Sequence, residues 1–187
     1  NEFLERLPPG SRISVLPLCG SSDAVSHDVH RTMSDAREAI SRIGVVDREA
    51  SFSAAVDLAI EAFNRLGLPL VIAGVGRDAA RLEKLAKPNI RFLGRVPDAD
   101  LPDLMARCKA FIFPGREDFG ITPVEAQASG RPVIAYGAGD VLDTVIDGET
   151  GVLFEEQTIE SFSAAVRRFN ALKFDPDVIR CHATDTP

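Results

Sequence analysis

The sequence predicts an α/β fold, a mainly parallel sheet flanked by helices, and three observations predict it. From about residue 55 onward, short apolar runs alternate with longer helical stripes, the pattern of repeated strand-helix units. Gly67 and Pro88 fall where a helical stripe stops. At 187 residues the chain is long enough for one well-packed core and short of two full α/β domains.

Each unit can be justified in order. AVDLAIEAFNRLG (55–67) carries Val56, Ala59, Ile60 and Phe63 on one helical face, and LPLVIAG (68–74) follows as a buried strand. RDAARLEKLAK (77–87) reads as a helix, NIRFLG (89–94) as a strand, and DADLPDLMARC (98–108) as a helix capped by Asp98. KAFIFPG (109–115) is strand-like and leads into EDFGITPVEAQASG, whose TPVEAQASG gives a short helix with Pro123 in its first turn. PVIAYG (132–137) is a strand, VLDTVIDG a helical turn and GVLF a short strand. TIESFSAAVRRFNALK (158–173) closes the chain as an amphipathic helix opened by a Thr-x-x-Ser cap. The first fifty residues are patterned differently. RISVLPL reads as a strand, HDVHRTMSDAREAISRI as a helix and IGVV (43–46) as a short strand. The expected division is therefore residues 1–54, a strand and helix joined to the same domain, and residues 55–187, the main ligand-binding domain. No internal repeat is visible.

Composition narrows the function classes. Hydrophobic residues at 45% and charged residues at 26% are ordinary for a soluble globular protein. A formal charge of -7 argues against nucleic-acid binding, leaving room only for local basic spots. Cys19, Cys108 and Cys181 are odd in number and widely spaced, which suits neither a disulfide framework nor a zinc site and points to a reducing cytoplasm. No apolar run approaches the roughly 20 residues that span a bilayer, and NEFLERLPPG lacks the layout of a signal peptide.

In an open parallel sheet, ligands bind at the carboxyl ends of the strands. Three loops there have suitable chemistry. AGVGRD (73–78) leaves a strand through Gly-x-Gly, which lets backbone amides approach a ligand, although such glycines also serve ordinary turns. GRVPDADL (94–101) sets Arg95 and Val96 after a strand. In the third loop Glu117 follows a buried strand and Glu125 lies in the next helix, with the amides of Phe119, Gly120, Ile121 and Thr122 at that helix's N-terminus. The two glutamates could grip hydroxyls, hold a metal, form an acid/base pair or simply be solvated and helical. A metal would need further ligands, and the adjacent candidate is Asp118, with no histidine between residues 31 and 181. An acid/base pair would have to face across a scissile bond, which spacing alone leaves open.

EDFGITPVEAQASGRPVIAYGAGDVLDTVIDGETGVLF, with its Glu-x7-Glu motif from Glu117 to Glu125, resembles the donor-binding region of glycosyltransferase family 4, and its wording is nearest to bacterial mannosyltransferases. VDLAIEAFNRLGLPLVIAG, RFLGRVPDADLPDLMARCKAFIFPG and AAVRRF extend the resemblance over roughly residues 55–183. It implies a Rossmann-like domain, the C-terminal half of a GT-B fold, in a retaining, metal-independent hexosyltransferase that uses no cofactor. The donor would be a nucleotide-diphosphate sugar, GDP-mannose favoured. Glu117 would be the catalytic-site carboxylate holding donor sugar hydroxyls, beside Phe119, Gly120 and Ile121. Thr122 would meet the diphosphate, Glu125 the ribose hydroxyls, and Arg95, Val96 and Gly74 the base.

The chain also departs from that family. Members carry a Ser-Arg-Leu strand end and a Lys-Arg pair just ahead of the Val-Asp-Leu helix, whereas here Val56-Asp57-Leu58 follows Ala54-Ala55. Arg42 and Arg48 are the available substitutes for neutralising the diphosphate. Asp140 replaces a second glycine of the GxGG loop, and Asp143 stands where Glu is common. Catalysis in this fold occurs between two domains, so the resemblance implies an N-terminal acceptor-binding domain or partner subunit that could also mediate peripheral membrane association. Taken alone, the 187 residues are expected to be incomplete for transfer. The rival expectations are a non-catalytic nucleotide-sugar-binding module and an inactive remnant.

Overall fold

The computed structural model describes residues 13–18, 48–116 and 121–185. Its centre is a six-stranded parallel sheet in the order β3-β2-β1-β4-β5-β6. The strands are β1 (Ile13–Leu18), β2 (Leu70–Gly74), β3 (Ile90–Gly94), β4 (Cys108–Phe113), β5 (Val133–Tyr136) and β6 (Gly151–Phe154). The helices are α1 (Arg48–Leu66), α2 (Ala79–Leu85), α3 (Leu101–Arg107), α4 (Ile121–Ala128), α5 (Val141–Thr144), α6 (Ile159–Ala171) and α7 (Pro176–Asp185). The chain winds outward from β1 to β3, crosses back, and winds outward again from β4 to β6. The order therefore reverses between β1 and β4, which pair directly with Val15 opposite Phe111.

Both faces of the sheet are covered, so β2 and β5 are apolar throughout rather than alternating with polar residues. Leu70 and Ile72 of β2, with Ala110 and Ile112 of β4, face a cluster completed by Phe63 of α1 and Phe162 of α6. Val71, Ala73, Phe111 and Phe113 face the opposite cluster, which contains Leu104, Ala126 and Val141. Phe162 sits between Phe63 and Phe154, at centroid separations of 6.0 and 5.1 Å. Aromatic pairs at such spacing contribute about 0.5–1.5 kcal/mol each beyond their area burial.

Four details correct or extend the sequence reading. RISVLPL supplies the central strand, trimmed to Ile13–Leu18 and hydrogen-bonded to β2 on one side and β4 on the other. The first long helix starts at Arg48 rather than 55, because REASFSA ahead of Ala55 is too polar to show an apolar stripe of its own; Ala54 is exposed, while Ala55 and Val56 are buried. Asp98 caps nothing. It opens a 3-10 turn (Asp98–Asp100) preceded by Pro97, without a side-chain capping bond. The chain does not close with α6, since α7 follows, entered through Pro176 and an Asp175 carboxylate that accepts the Asp177 amide at 2.9 Å. Among the described residues no helix is long and apolar enough to cross a membrane. The helix expected over HDVHRTMSDAREAISRI and the strand over IGVV lie outside the described residues.

Candidate functional site

The carboxyl ends of β1 and β4 meet at the reversal of strand order, where an open α/β sheet forms its ligand crevice. The sequence builds the β4 side of this crevice with a buried strand, CKAFIF, followed by buried Pro114 and Gly115 and exposed Arg116. The Pro114 carbonyl accepts a 2.8 Å hydrogen bond from Gln157 Nε2, tying the loop after β4 to the loop after β6. The chain then enters α4 at Ile121. Pro123 stands in the first turn, where its missing N–H and fixed φ cost nothing, and it is buried.

Thr122 and Glu125 lie three residues apart on α4, hence on one face. Helical Cα–Cβ bonds tilt toward the N-terminus, so this face leans back toward the strand ends. Thr122 is half-buried and Glu125 exposed. Ile121, the first residue of the helix, is half-buried. Of the other residues assigned to the donor sugar, Glu117, Phe119 and Gly120 lie outside the described residues, as does Arg42.

The base-side residues also reach the carboxyl edge. Gly74 ends β2 at φ 123°, a backbone region that excludes side chains. Gly94 ends the neighbouring β3 at φ 63°, and Arg95 and Val96 follow it. Arg95 is exposed, whereas Val96 is half-buried against the α3–α5 side of the core. Gly74 and the Arg95–Val96 pair therefore stand at the ends of adjacent strands, with β1 between them and β4, the strand that leads to α4.

A polar network that sequence reading did not find organises the mouth of β2. Ser53 Oγ donates to Asp78 Oδ2 at 2.7 Å, and Arg81 donates to both oxygens of Asp57 at 2.8 Å and to Ser53 Oγ at 3.0 Å. The Asp57 hydrogen bond, helped by the charges of Asp57 and Asp78, raises the Arg81 pKa against the opposing effect of desolvation. Asp57 thus joins α1 to α2. The partners are 24 or more residues apart and have no shared period, so the sequence offers no local signal for them. Because Ser53 sits at the mouth of the β2–α2 loop, Arg48, five residues earlier on α1, begins roughly 7.5 Å farther along the helix axis at 1.5 Å per residue. The Arg48 side chain is outside the described residues.

On the other side of the crevice, Gly139 adopts φ 77° and Asp140 follows at φ -67°. An ordinary helical φ at 140 means that the backbone there has no need of glycine. Asp140 precedes α5 without making a side-chain cap.

The family model for glycosyl transferases group 1 matches residues 48–177. A glycogen synthase of Mycobacterium tuberculosis is 33% identical over 108 residues, 54% of this chain and 26% of that protein. The alpha-1,3/1,6-mannosyltransferase of Dictyostelium discoideum is 43% identical over 89 residues, 47% of this chain and 20% of that protein. The chain thus spans about a quarter or less of the length of these curated relatives. Among solved structures, the C-terminal domain of a glycosyl transferase group 1 family protein from Francisella tularensis superimposes with a TM-score of 0.59 at 17% identity, covering 98% of this chain and 86% of that one. Likeness at that identity speaks to the fold, a Rossmann-like half of the GT-B type.

Proposed function

Because the chain belongs to the glycosyl transferases group 1 family, we propose that its carboxyl-edge crevice binds the donor of a retaining glycosyltransferase, a nucleotide-diphosphate sugar with GDP-mannose favoured. The observation that carries this reading is the opening of α4, with Thr122 and Glu125 on one face beside the reversal of strand order. A carboxylate accepts from both hydroxyls of a vicinal pair, which suits Glu125 to the ribose. Helix N-terminal amides favour phosphate charge, which suits Thr122 to the diphosphate. Gly74, Arg95 and Val96 would flank the base, and Glu117 with Phe119, Gly120 and Ile121 would hold the sugar. The mannosyltransferase named among the relatives supports the sugar.

In the transfer itself, the bond from the anomeric carbon to the diphosphate oxygen breaks, a bond to an acceptor hydroxyl oxygen forms with the same stereochemistry, and the hydroxyl proton passes to the leaving diphosphate. The leaving diphosphate needs cations, and losing an oriented one costs roughly a thousandfold in rate. Arg48 and Arg42 are the proposed sources, with the acceptor supplied from another domain or subunit, in the cytoplasm and metal-free. A second reading, a nucleotide-sugar-binding module without transfer, is favoured by one observation: Ala54 and Ala55 are part of α1 and bring no cation to this turn.

Thermal unfolding with GDP, UDP and their sugar conjugates tests the site. GDP-mannose should raise the midpoint, and Glu125→Ala should abolish the rise. A wild-type midpoint unmoved by every nucleotide would reject the donor site. Sugar transfer by the 187 residues alone would reject the need for a second domain.

A further inference from the structure

A second cleft opens at the amino ends of β4 and β5, away from the crevice above. Its volume is about 350 Å³, enough for a small organic molecule rather than a bare ion. Cys108 and Lys109 begin β4, and Pro132 immediately precedes β5, so this cleft and the loop at Pro114 lie at opposite ends of one strand. At 3.3 Å per residue, β4 separates them by roughly 16 Å.

Its walls are of two kinds. Phe169, Phe174 and Ile179, from α6, α7 and the segment between them, form an apolar side, with Phe169 and Phe174 stacked at a centroid distance of 5.0 Å. Arg107, Lys109 and Arg131 form a cationic side. Lys109 is held in place: its Nζ donates to Asn170 Oδ1 and stands 5.6 Å from the Phe169 ring centroid, leaving further N–H groups for a ligand. Arg131 has a buried Nε with no hydrogen-bond partner among the described residues. The adjacent carboxylate, Asp177, is already paired with Arg180, whose guanidinium lies against Gly130. In a chain of net charge -7, three cations gathered beside aromatic rings, with no acidic residue among the described residues that line the cleft, are a local reversal of sign.

We propose that this cleft binds a phosphate monoester, its phosphate on Lys109, Arg131 and Arg107 and its apolar or ring-bearing body against Phe169 and Phe174. A phosphate monoester near neutral pH carries a charge of about -1.5 to -2 on three acceptor oxygens, which matches several converging donors better than a carboxylate does. Half-buried Phe174 offers the body a ring to stack on, backed by the nearly fully buried Phe169.

Isothermal titration of the 187-residue chain with phenyl phosphate tests this. Saturable one-to-one binding is expected. Benzoate, with the same ring and a single charge, should bind at least tenfold more weakly, as should inorganic phosphate, which lacks the ring. Lys109→Gln and Arg131→Gln should each weaken phenyl phosphate at least tenfold, with circular dichroism confirming the fold, and excess GDP should not displace it. Absence of saturable binding, equal affinity for benzoate, competition by GDP or unchanged affinity in a folded Lys109→Gln variant would each overturn the proposal. Sedimentation with phosphatidic acid vesicles, but not with phosphatidylcholine vesicles, would assign the ester to a lipid headgroup. Phenyl phosphate binding without such sedimentation would assign it to a soluble ester.

Discussion

Gly151, the first residue of β6, is a glycine for want of space. A β-carbon there would press into the Val133 carbonyl group, with the carbonyl carbon 3.1 Å away, and would lie 2.8 Å from Val145 Cγ1. Backbone cannot step aside as a long side chain can, so Gly151→Ala should cost about 1–3 kcal/mol, seen as a lower urea midpoint at unchanged slope. Asp147 makes a different kind of prediction. Partial burial pushes its pKa up, but the hydrogen bonds from Arg168 and from the Leu153 amide, with the Arg168 charge, outweigh this and hold it below the ordinary carboxylate value. A depressed folded pKa means stability that is present above the unfolded value, about 3.9, and lost as pH falls through the folded value. The pair is solvent-facing and therefore screened, so Asp147→Asn should cost no more than about 1 kcal/mol at pH 7. Stability measured from pH 7 down to pH 2 should show wild type and variant converging in acid. A gap that persists at pH 2 would mean that the ion pair is not its cause.

Among the elements, those that the sequence announces most plainly carry their signals locally. Thr158 begins α6 as its pattern predicts, and its hydroxyl accepts the Ser161 amide at 3.2 Å. Thr158→Ala should therefore destabilise the chain by about 1 kcal/mol and speed amide exchange in the first turn of α6, with Thr158→Ser restoring protection. Pro123 likewise marks the opening of α4, which is why the sequence alone puts Thr122 and Glu125 on one helix. The elements that escaped have distant causes. α1 runs two turns ahead of its apolar stripe, through REASFSA, a segment too polar to show a period of its own. α7 buries Ile179 and little else, too few apolar positions to give a stripe. The position of β1 at the centre of the sheet depends on pairing with strands that start more than fifty residues later, and no residue within ISVLPL specifies that. The Ser53–Asp78–Arg81–Asp57 network is hidden for the same reason, since it exists only once α1 and α2 lie side by side. The amino-end cleft likewise joins Lys109 to Asn170 across 61 residues.

At the scale of the whole molecule, one sheet divides two apolar clusters that share every strand they touch. Phe111 and Ile112 are consecutive on β4, each 0% exposed, and they point into opposite clusters. No helix layer can then separate without stripping one face of strands that the other layer needs, so the domain should unfold as a unit. The chain has one tyrosine, Tyr136, and no tryptophan, which gives a reporter at the end of β5. Tyr136 packs 5.7 Å from Phe154, on the α1–α6 side. Phe111→Ala opens a cavity on the other side and should cost about 3–5 kcal/mol, a large part of a typical domain's 5–15 kcal/mol. If the clusters are coupled through the sheet, urea titration of this variant should move the tyrosine fluorescence transition and the far-ultraviolet dichroism transition together to the same lower midpoint. Phe162→Ala, on the tyrosine's own side, should shift the two signals by a comparable amount. A Phe111→Ala dichroism change that precedes an unmoved tyrosine transition would show instead that the two layers melt separately and that the sheet does not transmit the loss.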